Sequence, residues 1–375
     1  MTVTIKEVAN KKDLKKWVEF PNVLYKNVDA YVPFLTVDEL STFNKDENPA
    51  YAFCESRLFL AYKGDEIVGR IGAIINHAAN DKWGTSNVRF TRFDFVDDFE
   101  VSSALFNKVV EWAKERGYKT VSGPHGFTDM DHEGMLIEGF DELNMSITFY
   151  NLPYYATHME KLGLEKDVDW VEYFLTVPEK HDARIERISK YLQERSGYKL
   201  VTYKNAKEIK KDAFVAFKLI DRAFAKLYGT VPLTDEVINK AIADNILLMN
   251  LKYICSAKDK DGELVGFAIL VPSIAKALKK SNGKLFPFGI FRMLKALKIK
   301  GNDTLEMFFV AVKPELQSKG VLAIIMDYVL KTMIKNGIKY CETGPELETN
   351  VEVQSMWNSF ESRQHKRRRC YKKVI

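Results

Sequence analysis

Residues 308–326 read FFVAVKPELQSKGVLAIIM. The aromatic and β-branched residues up to Val312 suit a strand. Pro314 ends it, a polar loop follows, and Gly320 opens a long apolar stretch with the spacing of a helix. The first N–H groups of a helix have no partner inside it and carry partial positive charge. A glycine there lets the chain come close to a phosphate. Gln317 and Ser318 add hydrogen-bond donors, Lys319 adds a charge, and Val321 begins the helix. The segment therefore predicts an anion-binding turn at the head of a helix.

Working outward, the surroundings of this turn occur twice. GDEIVGRIGAII at 64–75 and GELVGFAILV at 262–271 are each a polar turn entering a buried strand. EWAKERGYKTVSGP at 111–124 and KTMIKNGIKYCETGP at 331–345 are each a helix end, a Gly stop, a short strand and Gly-Pro. The same landmarks in the same order predict a duplicated unit. In the first copy the strands are expected at 57–63, 66–76, 88–95 and 118–122, with a helix at 101–116. In the second they are expected at 252–257, 264–271, 305–313 and 338–342, with a helix at 321–336. Residues 178–250 read as mostly helical, and the division falls near Val177-Pro178: one domain over 1–177, the other over 178–375.

The whole chain is 375 residues, 46% apolar and 29% charged, which suits two or three folded domains and excludes wholesale disorder. The four cysteines lie far apart without a C-x-x-C, which excludes a disulfide scaffold, a zinc ribbon and a thioredoxin-type motif. No apolar run reaches the ~18 residues of a membrane span, and the first residues lack the apolar core of a secretory signal. A cytoplasmic protein is expected. A net charge of +5 is too small to imply nucleic acid, so none is expected as a partner.

V-x-P followed by Q-x-x-G-x-x-A at 312–323 resembles the acyl-CoA signature of the GNAT superfamily of N-acyltransferases. Gln317 and Gly320 match its first two anchors, while Leu322 stands where a second Gly or Ala is usual. The order of elements resembles GNAT topology in both halves. The opening (Tyr31-Val32-Pro33), Asn151-x-Pro153-Tyr154-Tyr155 and the tail resemble a tandem-GNAT family of bacterial proteins over nearly the whole chain. The resemblance implies an α/β (α+β) fold of two tandem domains, each a mixed, mostly antiparallel sheet flanked by helices. It also implies an acyl-CoA co-substrate, acetyl-CoA or another, lying beside the splayed fourth strand of the second domain. The backbone of Phe309, Val310 and Val312 would contact it.

The matching turn of the first copy, DFVDDFEVSSAL at 94–105, has no Gly and places Asp97, Asp98 and Glu100 at the helix head. Carboxylates suit the helix dipole but repel a pyrophosphate. The first domain is therefore expected to lack a cofactor site.

Acyl transfer to an amine needs a base for the amine and a proton for the leaving thiolate. Glu306, at the start of the fourth strand, is either that base or a solvated strand end. Glu346, Glu348 and Asn350 follow the next strand, with Glu348 a second catalytic candidate and Glu346 and Asn350 substrate contacts, or all three are turn chemistry. Tyr371 is a proton donor or a packing residue. The run PHGFTDMDHEG at 124–134 offers His125 to a substrate-facing loop or forms a surface turn. It lacks metal-site spacing, and no metal is expected.

Residues 273–300 carry eight Lys or Arg and no acid. They read as a basic amphipathic helix that roofs the acceptor cleft through Phe286, Ile290, Phe291 and Leu294, Phe291 touching substrate; plain packing and then contact with a membrane are the less favoured readings. The tail run 363–373, with seven Lys or Arg, reads as a solvated edge strand. The leading expectation is acyl-CoA-dependent N-acylation of a small-molecule or peptide amine. The rivals are a Fem-type peptide-bond former using aminoacyl-tRNA and a non-enzymatic, degenerate GNAT module.

Overall fold

A computed structural model describes residues 2–246, 249–298 and 302–375. Leu247, Leu248 and residues 299–301, which fall in the expected helical and basic stretches, lie outside the described residues. The chain forms two compact units: Met1–Val171 with Ala275–Ile290 and His365–Ile375, and Glu172–Ile274 with Phe291–Gln364. The division thus falls after Val171 rather than near Val177-Pro178, and two later segments join the first unit.

In the first unit the sheet runs Val3–Glu7, Cys54–Lys63, Glu66–Asn76, Asn87–Phe95 and Thr120–Gly123, with antiparallel neighbours up to the fourth strand. The pair Asn87–Phe95 and Thr120–Gly123 is parallel, over Asn87↔Thr120 to Arg89↔Ser122. A parallel pair needs a crossover, and the helix Phe99–Glu115 supplies it. Val101, Leu105, Phe106, Val109 and Trp112 form its buried stripe, joining the core with Phe90, Phe93 and Phe95. The strand beside Thr120–Gly123 comes from the chain's last residues, with Tyr371↔Gly123 to Val374↔Thr120 antiparallel.

The second unit repeats this order. Lys199–Thr202, Ile254–Lys258, Leu264–Pro272 and Thr304–Val312 are antiparallel neighbours. Thr304–Val312 and Tyr340–Thr343 are parallel, joined by the helix Val321–Lys335. The strand beside Tyr340–Thr343 is the end of Glu165–Thr176, with Tyr340↔Thr176 to Glu342↔Phe174. Its core gathers Val265, Ala268, Leu270, Leu305, Val321, Ile325, Val329 and Trp357. The stretch expected to be mostly helical holds helices at Ala183–Ser196, Ala206–Phe224 and Asp235–Asn245 and also the edge strand Lys199–Thr202.

The tail corrects a second expectation. Glu361–Val374 is one long strand, and from His365 onward it lies inside the first unit's sheet rather than at an edge. Its cations are tolerated there because each has a role. Arg368, fully buried, donates to Asn144 Oδ1 and Thr148 Oγ1 at 2.9 Å each. Arg369 Nε meets Asp169 Oδ1 at 2.7 Å, and Lys372 pairs with Asp167 at 3.0 Å. Buried charges persist only when paired and hydrogen-bonded in this way.

Candidate active site

The parallel register of the second unit ends at Met307↔Thr343, where Gly344 N–H donates to Met307 O at 3.2 Å. Beyond Met307 the strand continues to Val312 with only Leu264–Pro272 beside it among the described residues. Ile269 pairs with Phe309 and Leu270 with Met307, so Phe308 is the extra residue of a bulge. A bulge bends its strand and re-aims side chains. The result is a splayed strand with one open edge at Phe308, Phe309 and Val310, all partly exposed. Val312 is buried, in register with Gly266.

The anion-binding turn follows directly. Pro314–Leu316 makes one 3-10 turn, Gln317, Ser318 and Lys319 are exposed, and Val321 begins the helix. Gly320 is its N-cap at φ +83°, and no side chain caps the helix. The first hydrogen bond within the helix is Ile324 N–H to Gly320 O at 3.3 Å. Glycine is required for two reasons here. The positive φ strains any other residue, and a Cβ would lie 2.6 Å from Leu192 Cδ1. The second reason is packing against the helix Ala183–Ser196, a cause that the sequence did not suggest.

At the base of the splay, Glu306 is 1% exposed and accepts from Ser273 Oγ at 2.6 Å. It is therefore no solvated strand end. Its register partner across the parallel pair is Glu342, also buried. A carboxylate oxygen of Glu342 lies within 4.8 Å of one of Glu172, which is fully buried. Cys341, between these groups in the sheet, has its thiol pushed up to about 12 by burial, with the charges of Glu342 and Glu306 adding to the effect. Sequence reading singled out Glu306 and missed Glu342 and Glu172. The signal was faint, because Glu342 is one acid in a four-residue strand and Glu172 is one of four acids in Glu165–Thr176.

Glu346, Glu348 and Asn350 sit on the loop after Tyr340–Thr343. Gln354 Nε2 closes it by donating to Leu347 O at 2.8 Å and Glu348 O at 3.2 Å. Trp357 Nε1 donates to both Glu346 oxygens, at 2.8 and 3.0 Å. Burial raises the Glu346 carboxyl to about 7, against the smaller lowering effect of Trp357 and Thr343. A carboxyl held there exchanges a proton readily at neutral pH. Asn350 precedes the short helix Val351–Ser355 without capping it through its side chain.

Three other expected site residues are placed elsewhere. Tyr371 is packed in the core of the first unit, its hydroxyl pKa raised by burial. His125 also belongs to the first unit and is 2% exposed, its ring 3.7 Å from Cys370 Sγ and 3.6 Å from Glu133 Oε1. The loop that carries it faces no solvent at that point, because Asp131 turns inward to pair with Arg92. Phe291 is 67% exposed, and Phe286 and Leu294 are exposed with it, so the expected roof is absent. The helix Gly289–Lys298 instead buries Met293 and Leu297.

The same strand order and parallel crossover in two units, with a splayed, bulged strand and a glycine-headed helix in the second, define a tandem GNAT-like fold. No family model matches the chain. It is 26% identical to Protein YghO of Escherichia coli (strain K12) over 99% of this chain and 95% of that one. It is 23% identical to the bacterial ceramide synthase of Caulobacter vibrioides (strain NA1000 / CB15N), over 98% and 96% of the two chains. A solved tandem GNAT protein from the clavulanic acid biosynthesis pathway, without AcCoA, superimposes with a TM-score of 0.57 at 13% identity, covering 99% of this chain and 98% of that one.

Proposed function

We propose that the second unit is an acyl-CoA-dependent N-acyltransferase whose acceptor is a long-chain amine. The observation that carries this reading is the juxtaposition in one unit of an open strand edge, an uncapped helix head and a buried carboxylate pair. The helix head at Gly320–Ala323, with Gln317, Ser318 and Lys319 before it, has the donors and the charge for a pyrophosphate. Beyond Met307 the strand has one neighbour among the described residues, and its other side, at Phe308–Val310, is offered to a pantetheine amide. An acyl-CoA bound there supplies an activated thioester.

Glu306 is the group proposed to take the proton from the attacking amine, with Ser273 fixing its carboxylate. Glu342 is its register partner in the same buried pair. Glu346, poised near neutrality, returns a proton to the leaving thiolate. In balance, an ammonium first sheds one proton to solvent; C–N forms as the second proton passes to Glu306, C–S breaks as the thiolate takes a proton from Glu346, and exchange with solvent resets both carboxyls.

The long-chain acceptor is supported by the relative named bacterial ceramide synthase, similar over nearly the full length of both chains. A ceramide is the amide of a fatty acid and a long-chain amino diol. A fatty acyl-CoA and such an amino diol are accordingly the proposed pair, ahead of acetyl-CoA and a short amine.

The test is thiol release from acyl-CoAs of graded length, with and without a long-chain amino diol. Turnover is expected only with both present, and Glu306→Gln should lower kcat by about 10²–10⁴-fold while acyl-CoA affinity holds. Absence of amine-dependent thiol release, or an unaltered pH–rate profile in Glu306→Gln, overturns the reading.

A further inference from the structure

The helix Gly289–Lys298 has two faces. Met293 and Leu297, at i and i+4, are 5% and 2% exposed and anchor it to the second unit. Asn250 Nδ2 donates to Leu297 O at 2.7 Å at its end. Phe291, Leu294, Lys295 and Lys298, at i, i+3, i+4 and i+7, share another face, and all four are exposed. Phe291 is 67% and Leu294 43% exposed. Just before the helix in the chain, Phe286 and Phe288 are 76% and 63% exposed.

Four large apolar side chains within nine residues, all turned to solvent, are unusual for a helix that already has a buried face. Their setting along the chain is basic, although Lys279 and Lys284 are already paired with Asp29 and Glu19. Between Ser273 and Lys300 there are eight Lys or Arg and no Asp or Glu. An acidic protein groove would complement the charge. Phenylalanine at the apolar face with lysines flanking it, however, suits a surface that is anionic outside and hydrocarbon a few ångströms in. Lysine stems lie along apolar surface while their charges reach outward.

We infer that the exposed face of this helix, carrying Phe291, Leu294 and Lys295, docks on the surface of an anionic lipid bilayer. Phe291 and Leu294 enter the acyl boundary, and Lys295 meets the headgroups, while the Lys298 ammonium donates to Met249 O. Among the described residues no helix is long and apolar enough to cross a membrane, so the contact is peripheral. The inference does not depend on the acyltransferase reading.

The experiment is co-sedimentation of the full chain with phosphatidylcholine vesicles, with and without phosphatidylglycerol, at low and high salt. Binding is expected only to the anionic vesicles, weakening as salt rises. Phe291→Ser with Leu294→Ser should lower binding about tenfold or more and leave the melting temperature unchanged. Lys295→Ala should lower it about fivefold. Met293→Ala is the control from the buried face and should lower the melting temperature. Four results each overturn the proposal: no binding to anionic vesicles, equal binding to neutral ones, a melting temperature that falls in the Phe291/Leu294 variant, or a stable dimer that the same variant dissociates.

Discussion

The two units place the same strand against different chemistry. Arg89 is the third residue of Asn87–Phe95, in register with Ile74 on one side and Ser122 on the other. Glu306 is the third residue of Thr304–Val312, in register with Val271 and Glu342. Where the second unit has two buried carboxylates, the first has a guanidinium, which donates to Gly126 O at 3.1 Å, and a hydroxyl. The strand ends differ as well. In the first unit Phe95 N–H donates to Tyr155 Oη at 3.0 Å, and Tyr154 Oη donates to Phe95 O. The helix Tyr154–Lys161 therefore occupies the edge that the second unit leaves open.

The helix heads complete the contrast. Asp98 caps Phe99–Glu115 by accepting from Glu100 N–H at 2.9 Å, and Lys63 pairs with Asp98 at 2.5 Å. Val321–Lys335 starts at Gly320 with no side-chain cap. The same topology has been closed with its own side chains in one copy and left receptive in the other. Acidic residues at the turn are thus only part of the reason to propose the cofactor site in the second unit; the tyrosines fill the cleft itself.

The largest expected effect concerns the first unit's interior. Arg92 is fully buried at φ +44°, with Glu39 at 2.9 Å, Asp131 at 2.7 Å, and the rings of Phe43 and Phe149 around it. Arg92→Leu leaves two carboxylates buried without their cation. A loss of about 3–5 kcal/mol is expected in chemical denaturation, with acyl-CoA affinity of the folded protein unaltered. If stability holds, the first unit is not the closed scaffold that the comparison makes it.

A smaller effect tests the receptive unit. Burial raises the folded pKa of Glu346 from the ordinary glutamate value of 4.5 to about 7. The folded state then binds more protons than the unfolded one between these values. This group's contribution to stability should fall as pH rises from about 4.5 to about 8, by on the order of 3 kcal/mol. Glu346→Gln should remove this slope, leaving the variant more stable than the native chain at pH ~8 and equal to it near pH ~4. Denaturation at the two pH values checks it. A native chain as stable at the higher pH as at the lower would show that Glu346 is solvated.

Much of the contrast was legible in the sequence because it is local. Strand, glycine stop and crossover helix repeat at fixed order, and an acidic turn differs from a glycine turn on inspection. The hairpin 54–76 and the helix after Gly320 depend on near neighbours alone. What was not legible depends on pairing between distant residues. Glu306 meets Glu342 only because two strands run parallel, and Tyr371 belongs to the first unit only because the last strand pairs with Thr120–Gly123. The helix at 289–298 shows the limit of periodicity. Two apolar stripes were available, and which one is buried is set by the partners of Met293 and Leu297, not by the helix itself.

The smallest expected effect separates capping from ligand binding. Asp98→Ala removes a side-chain cap and the partner of Lys63, so a loss of about 1 kcal/mol is expected. In a unit of this size that is about 2–4 °C in melting temperature. Acyl-CoA affinity should not change, because Asp98 serves only its own helix. The matched substitution in the other unit is Lys319→Glu. Lys319 is exposed ahead of Gly320, so its replacement should cost almost no stability but should weaken acyl-CoA through charge repulsion at the helix head. Isothermal titration on both variants reads the two quantities together. Affinity lost in Asp98→Ala and kept in Lys319→Glu would reverse the roles of the two units, since it would place the phosphates at the capped helix and leave the open one without a ligand.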